Sequence, residues 1–90
     1  MKISYTELTI YEIENLQKKI VKEMAKAKTS FTLNFANVEK IDLSTIQLLL
    51  SLKKECESKN IKLKLTNCEA RQIKQMIKLF NLKEQLGLSL

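Results

Sequence analysis

Apolar side chains recur along the chain first every second residue, then about every 3.6 residues, and back again, and each change of period marks an element. Ile3 and Tyr5, then Leu8 and Ile10, alternate with polar residues and predict two short strands with a turn near Thr6 and Glu7. From Tyr11 to Lys28 the period becomes helical: Ile13, Leu16, Ile20, Met24 and Ala27 share one face while Lys and Glu take the other. Phe31, Leu33 and Phe35 then alternate with Thr32, Asn34 and Ala36, a third strand, and a loop from Asn37 to Ile41 follows. Ile46, Leu49, Leu50, Leu52 and Cys56 predict a second helix over Leu43 to Ser58. Ile61, Leu63 and Leu65, set between Lys62, Lys64 and Thr66, predict a fourth strand. A third helix is expected from about Glu69 to Phe80 on Ile73, Met76, Ile77 and Phe80. The tail, Asn81 to Leu90, is expected to add a short helical turn and a last extended piece.

The resulting order is β-β-α-β-α-β-α. Gly87 is the only glycine, so another residue must supply left-handed backbone at the boundaries, and Asn tolerates it best. Asn37, Asn60, Asn67 and Asn81 stand at the inferred junctions. Two β-α-β units, Leu8 to Phe35 and Phe31 to Thr66, place parallel strands in one sheet. Strands covered on both faces would be almost continuously apolar, whereas these alternate, with Thr32, Asn34, Lys62 and Lys64 outward. The expectation is an α/β domain with a four- or five-stranded mixed sheet and all helices on one face.

Composition narrows the chemistry. Ninety residues suffice for one compact domain, 1–90, burying roughly 60–65% of its unfolded surface. With no His, no imidazole-based triad or metal ligand exists, and Cys56 and Cys68 are too few for a four-cysteine zinc site. One glycine rules out a glycine-rich phosphate loop. No catalytic residue, cofactor or metal is therefore expected, and the default is a binding module. The net charge of +6 raises nucleic acid or an anionic surface as partners. Fifteen of the sixteen basic residues are Lys, however, spread along the chain, and the densest group (Lys18, Lys19, Lys22, Lys26, Lys28) falls on the wet face of the first helix. Arg-based base reading and aromatic stacking both lack material, so nucleic acid is disfavoured. The cysteines form no CxxC motif and read as reduced thiols. No signal-peptide pattern and no apolar run near the ~18 residues of a membrane span are present, which gives a cytoplasmic expectation without membrane insertion.

The most informative stretch runs from Phe31 to Leu50, where a strand and a short loop lead into Asp42-Leu43-Ser44 and an apolar helix. Asp42 or Ser44 can cap that helix, and Ser44-x-x-Gln47 has the spacing of a capping box. Capping alone accounts for these residues. A cap that also lies in a protein interface, and a phosphorylated Ser44, are the functional alternatives.

The same stretch resembles the STAS domain, the fold of bacterial anti-sigma factor antagonists. The resemblance extends over nearly the whole chain, through LTIYEIENL from Leu8, VEKIDLSTIQLLLSLKKE from Val38, NIKLKLTN from Asn60 and IKLFNLKEQL from Ile77. The family's central block reads Asp, a hydroxyl residue, Ser/Thr/Ala, Gly, then an aliphatic residue. Asp42 matches its Asp and Ser44 its third place, whereas Leu43 replaces the hydroxyl and Thr45 the Gly. The resemblance implies a non-enzymatic, bacterial signalling domain that docks a protein partner through Asp42, Leu43, Ser44, Thr45 and Gln47. That partner would be an anti-sigma factor or serine-kinase-like protein in transcription regulation, with Ser44 as the phosphorylated position. It equally implies the alternative of relatives without a serine cycle, which serve as constitutive subunits of lipid-transport ABC complexes or chemosensory and stress-signalling assemblies. A homodimer is left open. An alternative of another class is a Lys-rich binder of nucleic acid or an anionic surface.

Overall fold

A computed structural model describes residues 1–86 of the chain. Its elements are β1 (Glu7–Leu8), α1 (Ile10–Met24), β2 (Ser30–Asn34), β3 (Lys40–Ile41), α2 (Leu43–Ser58), β4 (Lys62–Thr66), α3 (Arg71–Leu79) and α4 (Leu82–Gln85). The helical period of α2 and the alternation of β4 are realised almost residue for residue. The short helical turn expected in the tail is α4, and the extended piece expected after it falls on residues 87–90, outside the described residues.

β2 and β4 pair in parallel over five residues, from Ser30↔Lys62 to Asn34↔Thr66, so the expected β-α-β unit around α2 is present. Phe31, Leu33, Leu63 and Leu65 are buried while Lys62, Lys64 and Thr66 are exposed, so the helices cover one face of this ladder and water the other. The first unit closes differently. β1 pairs not with β2 but with β3, in parallel, through Glu7↔Lys40 and Leu8↔Ile41. Among the described residues the strands thus form two parallel ladders, β1-β3 and β2-β4, rather than one mixed sheet of four or five strands. The Ile3 strand is reduced to a single parallel bridge, Lys2↔Asn34. The physical reason is length: two-residue strands cannot carry a period, and β3 exists only because β1 lies beside it. That is why Lys40 and Ile41 read as loop.

The second expected strand, Leu8 to Ile10, is cut short by a capping box. The Thr9 N–H donates to Glu12 Oε2 (3.0 Å), the Thr9 hydroxyl accepts the Tyr11 N–H (3.4 Å), and Ile10 becomes the first helical residue. At its other end α1 stops at Met24, four residues before the expected Lys28. Met24 is its last buried side chain, and the following turns are held by the Lys26 N–H to the Glu23 carbonyl and the Ala27 N–H to the Met24 carbonyl. Asn60, Asn67 and Asn81 adopt left-handed backbone, with φ of 56°, 57° and 52°, whereas Asn37 does not. Asn37 instead donates its side-chain N–H to the Ile3 carbonyl (3.4 Å).

The core lies between the helices and the ladders. Leu16, Ile20 and Met24 of α1 share one buried cluster with Leu49, Leu52 and Cys56 of α2 and with the inward residues of β2 and β4. The Met24 and Cys56 sulfurs stand 3.7 Å apart. Each Leu, Ile, Phe or Met among them contributes roughly 1.5–3 kcal/mol when taken from water.

Candidate functional site

The central loop delivers Asp42 to the start of α2 in extended backbone, and Asp42, not Ser44, is the N-cap. Its Oδ1 accepts the N–H groups of Ser44 (3.0 Å) and Thr45 (3.4 Å), and the Ser44 hydroxyl donates to the same oxygen. Ser44 is therefore the second helical residue. The Ser44–Gln47 box does not form, because a box needs its Glu or Gln at the third helical position, which Thr45 occupies. The true box belongs to α1, at Thr9 and Glu12.

The other carboxylate oxygen of Asp42 reaches a second helix. Asp42 Oδ2 accepts the N–H of Ile10, the first residue of α1, at 3.2 Å. The two helices begin side by side because β1 and β3 are paired immediately before them, and the ladder continues into the Asp42 N–H to Leu8 carbonyl bond (3.2 Å). One carboxylate thus sits at the positive ends of two helix dipoles. Burial pushes the Asp42 carboxyl up, but the Ser44 hydroxyl and the N–H groups of Thr45, Ile10 and Ser44 outweigh it and hold the group below the ordinary aspartate range. Glu12 is likewise lowered, by the Thr9 hydroxyl first and then the Thr9 N–H.

The five residues expected to dock a partner divide here. Thr45 turns inward, 1% exposed, and its hydroxyl donates to the Leu8 carbonyl at 3.0 Å, so it fastens α2 to β1 and presents no surface. Asp42 and Ser44 are half-buried, and Gln47 is exposed. Leu43 is 52% exposed, and beside it at the start of α1 stand Ile10 at 68% and Tyr11 at 86%. Ile10 and Tyr11 were absent from the expected set. Both read as the start of the first helix or the end of a strand, and no local signal places them next to Leu43. Together the corner offers three exposed apolar side chains at the starts of two helices joined by the Asp42 carboxylate.

Behind the corner, Gln72 of α3 makes two hydrogen bonds to one residue of β3. The Ile41 N–H donates to Gln72 Oε1 and the Gln72 side-chain N–H donates to the Ile41 carbonyl, both at 2.9 Å. The side-chain amide takes the place of a neighbouring strand on the open edge of β3 and fixes the loop that delivers Asp42. Among the described residues no cluster of His, Cys, Asp and Glu could hold a metal ion, and no helix is long and apolar enough to cross a membrane.

Comparison with known proteins agrees with this architecture. A crystal structure of a sulfate transporter family protein from Wolinella succinogenes matches with a TM-score of 0.77 at 18% identity, covering 97% of this chain and 69% of that one, which shows a shared fold. No curated protein sequence matches the chain. The family model described as "Mlab, STAS domain" matches residues 5–89, and the chain belongs to the STAS domain family.

Proposed function

We propose that the chain is a non-catalytic protein-interaction domain that docks a regulatory partner at the corner where α1 and α2 begin. The observation that carries this reading is the exposure of Ile10, Tyr11 and Leu43 around Asp42. The fold gains nothing from three large apolar side chains in water, whereas buried aromatic and aliphatic anchors dominate the energy of interfaces. The carboxylates of Asp42 and Glu12 beside them call for a partner with an apolar pocket and a basic rim.

Two forms of docking follow from the anti-sigma antagonist and the constitutive-subunit alternatives. In the switched form, phosphate on Ser44 brings a dianion to the docking surface and expels the partner through desolvation and repulsion. In the constitutive form, the partner stays bound as in a lipid-transport or signalling assembly. The second form has the better support. The Ser44 hydroxyl is committed to the Asp42 carboxylate, which already fills the anion position at both helix starts, so a phosphate would stand against that charge.

The test is calorimetry of the wild type, Tyr11→Ser and Leu43→Ser against the partner recovered by affinity capture, with melting curves alongside. Both substitutions are expected to weaken binding about tenfold or more, which is ~1.4 kcal/mol, without lowering the melting temperature. Unchanged affinities would move the interface away from this corner. Intact mass after incubation with ATP and candidate serine kinases separates the two forms, an unmodified chain being the result expected for the constitutive one.

A further inference from the structure

An open pocket of about 520 Å³ lies against the turn between α3 and α4 and shares no residue with the Asp42 corner. Asn81 makes this turn possible. Its left-handed backbone reverses the chain after Phe80, and its side-chain N–H donates to Glu84 Oε2 at 2.8 Å, which holds α4 folded back. The wall of the cavity includes Ile77 of α3, which is half-buried, and Cys68, which is buried just after β4. Lys74, Lys78 and Lys83 line it together with Glu69, and Glu84 stands in the same turn, bound to Asn81.

The charges do not cancel. Lys74 is neutralised by Glu69 at 3.0 Å, which leaves Lys78 and Lys83 as the ammonium groups of this pocket without an ion-pair partner among the described residues. Burial pushes the Cys68 thiol up to about 11, so it stays neutral and acts as apolar wall. A volume within the roughly 300–1,000 Å³ of small-molecule sites, an apolar wall and a few charged groups are the usual parts of a ligand pocket.

We propose that this cavity binds a small amphipathic anion, its apolar body against Ile77 and Cys68 and its carboxylate or phosphate among the ammonium groups of Lys78 and Lys83. Lysine suits either headgroup, because its ammonium acts as a point charge without the fork geometry of arginine. The site lies apart from the partner-docking corner, so its occupancy is independent of that reading.

The test is titration of the full chain with decanoate, decyl phosphate and uncharged decanol, all below micelle-forming concentrations, followed by calorimetry and by amide NMR shifts. At least one of the two anions is expected to bind saturably at one site, with shifts centred on Cys68, Ile77 and Asn81, and decanol to bind at least about fivefold more weakly. Whichever anion binds tighter identifies the headgroup. The doubly substituted Lys78→Gln, Lys83→Gln chain is expected to lose about fivefold in affinity with an unchanged melting curve, and Lys78→Arg, Lys83→Arg to retain binding. Decanol binding as tightly as the anions, shifts centred elsewhere, an unaffected glutamine variant, or no saturable binding would each overturn the proposal.

Discussion

Asp42 and Ile10, thirty-two residues apart, are joined by a hydrogen bond in which the first N–H of α1 donates to the carboxylate that caps α2. An N-terminal N–H of a helix has no partner within its own helix, and here the cap of a neighbouring helix supplies it. The bond couples the two helix starts, so whatever holds Asp42 in place also sets the spacing of Ile10 and Tyr11 from Leu43.

Loss of that carboxylate should therefore cost more than loss of the neighbouring hydroxyl. Asp42→Ala is expected to destabilise the chain by about 1–2 kcal/mol, at the upper end of the range for caps because two helices lose an acceptor. Ser44→Ala removes only a donor to Asp42 and should cost less than about 1 kcal/mol. Urea unfolding of both variants checks this, and a Ser44→Ala effect equal to or larger than that of Asp42→Ala would return the cap to Ser44.

Acid should act through the same carboxylates. Asp42 and Glu12 are both held below their ordinary values in the folded chain, so the unfolded chain takes up their protons first as pH falls. Their contribution is present in full above the ordinary carboxyl range and is lost as pH descends through the folded values. Unfolding midpoints followed from about pH 6 to about pH 2.5 should fall less steeply for Asp42→Asn than for the wild type. Parallel curves would show that the hydrogen bonds to Asp42 do not stabilise its charged form.

Gln72 offers a separate check on how the site is held. Gln72→Ala removes two neutral hydrogen bonds from Ile41 and is expected to cost about 1–3 kcal/mol, with faster hydrogen exchange at the Ile41 amide. Gln72→Glu keeps an acceptor for the Ile41 N–H but sets a carboxylate against the Ile41 carbonyl, and should be no more stable than the alanine variant. Wild-type exchange at Ile41 in the alanine variant would mean that the edge of β3 is closed by something else.

Burial raises both thiols, Cys68 to about 11, so neither is expected to react with a disulfide reagent at about pH 8 in the native chain, and both should react in denaturant. The neutral thiols favour the fold below the ordinary thiol range, and this contribution is lost as pH rises toward the folded values. Rapid native labelling of Cys68 would show that the wall of the α3–α4 cavity opens.

The period of apolar residues and the residue types at element ends carried much of this molecule in one dimension. They specify α2 and β4 nearly to the residue, the inward set of β2 and β4, and left-handed turns at Asn60, Asn67 and Asn81, because these follow from which side of a single element faces water and which backbone angles a residue tolerates. Asp42 at the start of α2 was legible for the same reason, although the choice between Asp42 and Ser44 was not, since both side chains can accept an N–H. The Thr9-x-x-Glu12 box was equally written in the chain and was masked by the alternation of Leu8 and Ile10. Strand β3, the division of the strands into two parallel ladders, the Gln72 clasp on Ile41 and the reach of Asp42 to Ile10 left no local trace. Each joins segments about thirty residues apart, and such a bond is decided by where packing brings two stretches of backbone, a quantity no single stretch contains. The exposed corner of Ile10, Tyr11 and Leu43 arises in the same way, as three side chains belonging to two helices that meet only because β1 and β3 pair just before them.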